Sequence, residues 1–531
     1  MKLSRFWLLL LVIVPLMAVM ACGDDEVSGP GGTMKIAANG NPGTLDPAKN
    51  QLGFSTTTLH DFVHNRLLAR DATLMEPSAD LAESWTRSAD GKDIVFTLRE
   101  DVKFHTGRKF DSADLTANWD RIINDVGAKG RGKGLLSEVT SYRASDDYEW
   151  TVKLSGDSPV FLSNQTHWGL GIADKEGFAN IESEAVGTGP YKFVEYMPDD
   201  KLIIEQFADY YDKDLLARRP DRVIITPITE TTTRVAALKT GEVDFIFHLG
   251  LNNAKEIEDA SGVYVVRQRA SSASYSTIVF NLHDPNTHNE AIPAPADRGP
   301  MADVRVRKAI AYALDLNEIN QTAFFGYGDT NCNIIPEGHW AYQPLACPTR
   351  DLDKARALLA EAGYPNGFSV TFKPEGSEET KNVALLTQKQ LAEVGIDVEI
   401  VVVESWGKDV WQDGEFELAT ASYLREPDPD GLMQSVFRGE SETGPWGGNN
   451  VMGYYDPEVE AWFDLGKSTS DRAIRKDAYN KIVQKVLIDD VALIKSSSRL
   501  RFNAASDKIV GAHNLPAGHW NTLDWTWDPT K

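Results

Sequence analysis

A chain of 531 residues is too long for one hydrophobic core, so two or three lobes are expected. Its content of 42% hydrophobic and 25% charged residues is that of a folded soluble protein. Acidic residues outnumber basic ones 78 to 54, for a net charge of −24, and such a surface repels nucleic acid and anionic lipid headgroups, so neither is an expected partner of the folded body.

At the N-terminus, Lys2 and Arg5 precede an apolar run from Phe6 to about Met20, followed by Ala21-Cys22. The run is short for a membrane span and ends at small residues, so residues 1–21 are predicted to be a secretory signal. The Cys directly after Ala21 resembles a bacterial lipobox, in which Cys22 is lipidated and becomes the first residue of the mature chain. Plain signal cleavage with an incidental Cys, or an uncleaved anchor, are the alternatives. Residues 22–33, with the small and polar stretch "GDDEVSGPGGT", have the composition of a tether. Anchor and tether together predict an extracytoplasmic body, in a periplasm or on the outer face of a cytoplasmic membrane, touching that membrane only through lipid.

His60 and His64 in "HDFVH" lie four residues apart and could share a helical face. No third ligand stands nearby, so an ordinary helix surface is the expectation. "DIVFTLRE" (93–100) and "RVIITPI" (222–228) read as strands. Between them, "GAKGRGKG" (127–134) has glycines and Lys133 at phosphate-loop spacing. Gly134, however, stands where a magnesium-binding hydroxyl belongs, and a helix-like run rather than a strand precedes it, so a flexible basic loop is expected. Cys332 and Cys347 bracket a Pro-containing loop; in an oxidising compartment they are expected to pair, two free thiols being the alternative. A helix follows over 352–364, with Ala355, Leu358 and Leu359 on one face, Asp351 as N-cap and Gly363 as stop. "FSVTFKP" (368–374) alternates as a half-buried strand, "NVALLTQKQLAEVG" (382–395) is helix-like, and "DVEIVVVE" (397–404) reads as a strand. This alternation predicts α/β lobes. There is no HExxH, GxSxG or CxxC, so neither a catalytic motif nor a cofactor or metal is expected.

"ASYLREPDPDG" (421–431) has the opening rhythm of a calcium loop in Glu426, Asp428, Asp430 and Gly431. The pattern then wants a bidentate Glu at its twelfth position, where Phe437 stands, and Pro427 and Pro429 interrupt the loop. Calcium is therefore set aside. Paired carboxylates also suit acid–base work, but short acidic residues between prolines are more often turn formers.

A recognisable signature runs along most of the chain. Residues 81–115 carry Trp85, Ser88-Ala-Asp-Gly91, Phe96-Thr-Leu-Arg99, Val102-Lys-Phe-His105, Gly107 and Ala113-Asp114. Around them, in order, stand "GTLDPA" (43–48), "GTGPYKF" (187–193), "TTTRVAALKTGEVDF" (231–245), "VFNL" (279–282), "DVRVRKAIAYALD" (303–315), "ARALLAEAGYPNGF" (355–368) and "DPDG" (428–431). The chain resembles the bacterial family 5 solute-binding proteins, the receptors of peptide, nickel and related ABC importers. The resemblance implies an α/β, periplasmic-binding-protein-like fold with two hinged lobes and a further domain inserted in the first. Lobe I would comprise 34–66, 187–278 and 491–531, the inserted domain 67–186 and lobe II 279–490. It also implies a monomer that traps a small solute between the lobes and passes it to permease subunits, with no chemistry of its own.

In peptide-binding relatives an Asp three residues before the Asp-Pro pair commonly anchors the ligand's amino group. Here the pair is Asp428-Pro429 and the residue is Arg425, which reverses the charge. Arg suits a carboxylate, phosphate or sulfate. Three readings stand: Arg425 binds an anionic or hydroxylated ligand; it is neutralised by Glu426 or Asp428; or the alignment slips in this loop. Tyr423, Asp428, Trp406 and Trp168 complete the set of expected cleft residues, ordinary core packing being the alternative for Tyr423 and for each tryptophan. Peptide-like, opine-like and saccharide ligands all stay open. Two other functions compete with transport: a sensory lipoprotein that reports binding, and a secreted hydrolase using Asp428 or Asp430 with Glu426.

Overall fold

The computed structural model describes residues 31–49, 54–71, 76–124, 131–267, 274–282, 299–423, 428–439, 450–499, 502–512 and 525–531. Cys22 and Arg425 lie outside these residues, as do Glu426 and residues 127–130; the rest of the stretch 127–134, expected as a flexible loop, opens the short helix Arg131–Leu135.

Among the described residues three main sheets organise the chain. The first has seven strands in the order Val263–Arg267, Phe502–Ser506, Phe245–Leu249, Thr33–Ala38, Arg222–Pro227, Lys201–Gln206 and Tyr191–Met197. Thr33–Ala38 runs parallel to both of its neighbours, and the outer strands are antiparallel. Ile36, Phe62, Tyr191, Ile204, Ile225, Phe245 and Trp525 pack one core against it.

A four-stranded antiparallel sheet is formed by Ala82–Arg87, Asp93–Leu98, Glu149–Leu154 and Val139–Asp146. Its central strands alternate: Ile94, Phe96 and Leu98, and Trp150, Val152 and Leu154, point inward, as a period of two requires. They meet the helix Ser112–Asn124, whose Trp119 stands edge-on to Trp150 with ring centroids 4.4 Å apart.

The third sheet has five strands: Ile396–Ile400, Phe368–Lys373, Leu418–Tyr423, Ser274–Phe280 and Leu493–Arg499. The first three are parallel, and the last two join antiparallel. Every residue of Ser274–Phe280 is buried because cores lie on both faces of this strand. The chain therefore leaves the seven-stranded sheet after Arg267 and re-enters it at Phe502. The resemblance places these switches at 278/279 and 490/491. Pairing to Leu418–Tyr423 draws the whole of 274–280 and 493–499 into the third sheet instead.

Local expectations meet the structure unevenly. The helix Leu352–Glu361 is capped by Asp351, whose side chain accepts the Lys354 amide at 2.9 Å, and Gly363 ends it at φ +95°. The strand expected over 397–404 stops at Ile400, and Val402 is exposed. Its partner Phe368–Lys373 ends there too, so no ladder remains to extend it. His60 and His64 are not on a helix surface. Both are buried, with Nδ1 atoms 3.4 Å apart, and burial lowers the imidazole pKa of each, that of His60 to about 3. Cys332 and Cys347 are joined as a disulfide. Among the described residues no helix is long and apolar enough to cross a membrane.

Candidate cleft wall at the ends of the parallel strands

The parallel strands Phe368–Lys373, Ile396–Ile400 and Leu418–Tyr423 all deliver their C-terminal ends to one edge of the five-stranded sheet. Open α/β sheets present ligand sites at that edge, because loops diverge there and leave space between them. Residues past each strand end build the site. After Ile396–Ile400 come Trp406 and the π-helical turn Gly407–Gln412. The Trp406 indole N–H donates to the Lys373 carbonyl at 3.2 Å, tying this turn to the end of the neighbouring strand. Trp411 meets Trp406 edge-on at 5.9 Å and Tyr423 edge-on at 6.0 Å, and Tyr423 lies against Tyr275 at 5.5 Å. Four aromatic rings thus form a row, each pair at a favourable separation.

Charge is laid along this row. Lys373 pairs with Asp409 at 3.2 Å, and Ser422 donates to Glu375 at 3.0 Å. The Tyr423 hydroxyl is buried and has no hydrogen-bond partner among the described residues. Burial, followed by the neighbouring Tyr275, pushes its pKa well up, so it stays a neutral donor.

Asp428 takes a different position from the one its spacing suggests. It caps the helix Pro429–Phe437, accepting the Asp430 amide at 2.9 Å, with Pro429 in the first turn where its missing N–H costs nothing. The same oxygen receives Arg475 at 2.7 Å from the helix Arg472–Gln484. Arg475 also donates to the Gly466 carbonyl at 2.9 Å and to the Tyr479 hydroxyl at 3.2 Å, and Tyr479 donates to Asp430 at 3.1 Å. Burial, then the charge of Asp428, raises the Asp430 pKa to about 7. The acidic pair of "DPDG" is held inside the protein by one Arg and one Tyr.

Trp168 stands apart from this row. It opens a 3₁₀ turn beside the four-stranded sheet and stacks on His167 at 4.4 Å, and no described contact joins it to Trp406 or Tyr423. Sequence reasoning missed Trp411, Tyr275, Lys373, Glu375 and Arg475. Trp411 had a usable signal, a second Trp five residues after the first; Arg475 had none, since its partner lies 47 residues away. Among the described residues no group of three or more His, Cys, Asp or Glu is placed to hold a metal ion.

Two sheet-based α/β units linked by two crossings, with a third unit inserted, have the architecture of a two-lobed binding protein. The family of bacterial extracellular solute-binding proteins, family 5, matches residues 76–444, and the chain belongs to it. It is an extracytoplasmic solute-binding receptor of an ABC importer, of the two-lobed periplasmic binding fold. The glutathione-binding protein GsiB of Pectobacterium atrosepticum is 26% identical over 502 residues, covering 91% of each chain. The binding protein AgaA of A. tumefaciens, solved with agropinic acid, is 27% identical with a TM-score of 0.72, covering 94% of this chain and 99% of its own. DppA of Helicobacter pylori, solved with the peptide STSA, is 25% identical with a TM-score of 0.73, covering 94% and 98%.

Proposed function

We propose that this receptor takes a small anionic solute, an opine-like acid or a modified peptide, with the acid group on Arg425. Tyr423 donates its hydroxyl and Trp406 supplies an apolar face, with Trp168, which stands outside their row, offering a second apolar face from the inserted unit. The observation that carries this reading is the engagement of Asp428 by Arg475 at 2.7 Å. With its charge already matched, Asp428 is not available to neutralise Arg425 or to receive a ligand's ammonium group. Its role is to hold the base of the loop that carries Arg425. The likeness to a protein solved with agropinic acid supports the same class. The receptor is a monomer anchored through a lipid on Cys22, with the residues between Cys22 and the strand Thr33–Ala38 as spacer. Its lobes divide as the sheets do, the first strand of the second lobe being Ser274–Phe280 and its last Leu493–Arg499, with an inserted domain over 67–186.

Isothermal titration with agropinic acid, reduced glutathione and unmodified dipeptides tests the ligand class. Binding of one of the two acids, and little of the dipeptides, is expected. Arg425→Asp should weaken the acid at least about tenfold, the scale of a lost charge-assisted hydrogen bond. Tight binding of ordinary dipeptides would refute the reading. For the anchor, Cys22→Ser should release the chain from the membrane fraction.

A further inference from the structure

The turn between the helices Pro457–Lys467 and Arg472–Gln484 belongs to the five-stranded unit, since Val459, Phe463, Tyr479 and Ile482 pack into its core. Its polar groups nonetheless face the inserted unit. The Ser470 amide and hydroxyl donate to the two oxygens of Asp157 at 2.9 and 2.8 Å. Arg87 bridges the same pair, donating to Asp157, to the Ser470 hydroxyl at 2.6 Å and to the Ser158 carbonyl at 2.6 Å. Arg472 donates to both carboxylate oxygens of Glu76, and Lys467 lies 3.3 Å from Glu138. The seat of Asp157 is built for it. A Cβ on Gly91, at φ +72°, would stand 2.4 Å from the Asp157 carboxylate, so only glycine leaves room.

We propose that Ser470, Arg472 and Lys467 on one side, and Asp157, Arg87, Glu76 and Glu138 on the other, form a polar clasp that holds the receptor closed. These residues sit in units built on different sheets, so a hinge opening must part them. The clasp sets how much of the solute-free protein is closed, and therefore how much binding free energy closure consumes. It acts without touching solute. Its groups are polar and partly exposed, so it releases cleanly into water, which an apolar seam does not.

Single-molecule FRET on the full chain, dialysed free of solute and carrying dyes on unnatural residues at 153 and 477, reads the closed fraction directly. The wild type should show a closed population at low salt that shrinks as salt screens the pairs. Asp157→Ala and Glu76→Arg should each lower the closed-to-open ratio about fivefold, as expected for loss of an ion pair of this exposure. Glu76→Arg combined with Arg472→Glu should restore it, which separates the clasp from damage to folding. A wild type with no closed population, single variants with an unchanged ratio, or a double variant that fails to recover would each overturn the proposal.

Discussion

Arg472 and Arg475 stand one turn apart on the same helix, and both guanidiniums lie just over 5 Å from the ring of Trp340. Their fates differ. Arg475 and its partner Asp428 are 4% and 10% exposed, whereas Arg472 and Glu76 are 58% and 36% exposed. The first pair is sealed within one unit and cannot part without leaving a charge in low dielectric. The second spans two units and, once parted, each group regains water. The buried pair holds the acidic stretch 428–430 inside its unit, and the exposed pair from the same helix is the one an opening would part.

The contrast breaks first at Arg475. Arg475→Ala leaves Asp428 buried and unpaired beside Asp430, and should cost about 3–5 kcal/mol in chemical denaturation. A loss below about 1 kcal/mol would show that the pair carries little of the site.

The pH dependence of the same cluster is the next effect. Asp430 has its pKa raised to about 7 by burial and by Asp428. Its contribution to stability is full below the unfolded carboxyl pKa near 3.8, declines as pH rises toward 7 and is gone above it. His60 and His105, lowered to about 3 and about 4 by burial, work in the opposite sense, losing stability as pH falls below 6.5. Melting curves from pH 4 to 8 should therefore show Asp430→Asn gaining steadily on the wild type as pH rises. A constant difference would mean Asp430 titrates normally. The smallest effect belongs to Arg472: Arg472→Ala should change unfolding free energy by less than about 0.5 kcal/mol while still shifting the closed fraction. A large loss of stability would make Arg472 a structural residue and erase the contrast.

Much of the fold was legible. The ordered motifs from "GTLDPA" to "DPDG" identified the family class, and the period of two in 93–98 and the Asp351 and Gly363 caps were readable because caps and alternation are local. The candidate site was legible only in part. Tyr423 and Asp428 were expected from the resemblance and Trp406 from its aromatic character, and the structure joins Trp406 and Tyr423 in one aromatic row through Trp411. Asp428, expected among the cleft residues, pairs with Arg475. Nothing within a few residues of Asp428 could reveal that, because its partner arrives from another helix.

By itself, the sequence determined the class of receptor and the α/β alternation, and it raised the expectations of a signal and tether at the N-terminus and of a charge reversal at Arg425. Each rests on residue identity or on neighbours within a turn or a strand. Only the tertiary structure decided that 397–404 loses its ladder at Ile400, that His60 and His64 are buried, and that Asp157 meets Ser470 across 313 residues. Those outcomes depend on which surfaces the packed units bring together. Burial and long-range pairing are properties of that packing, and no local pattern encodes them.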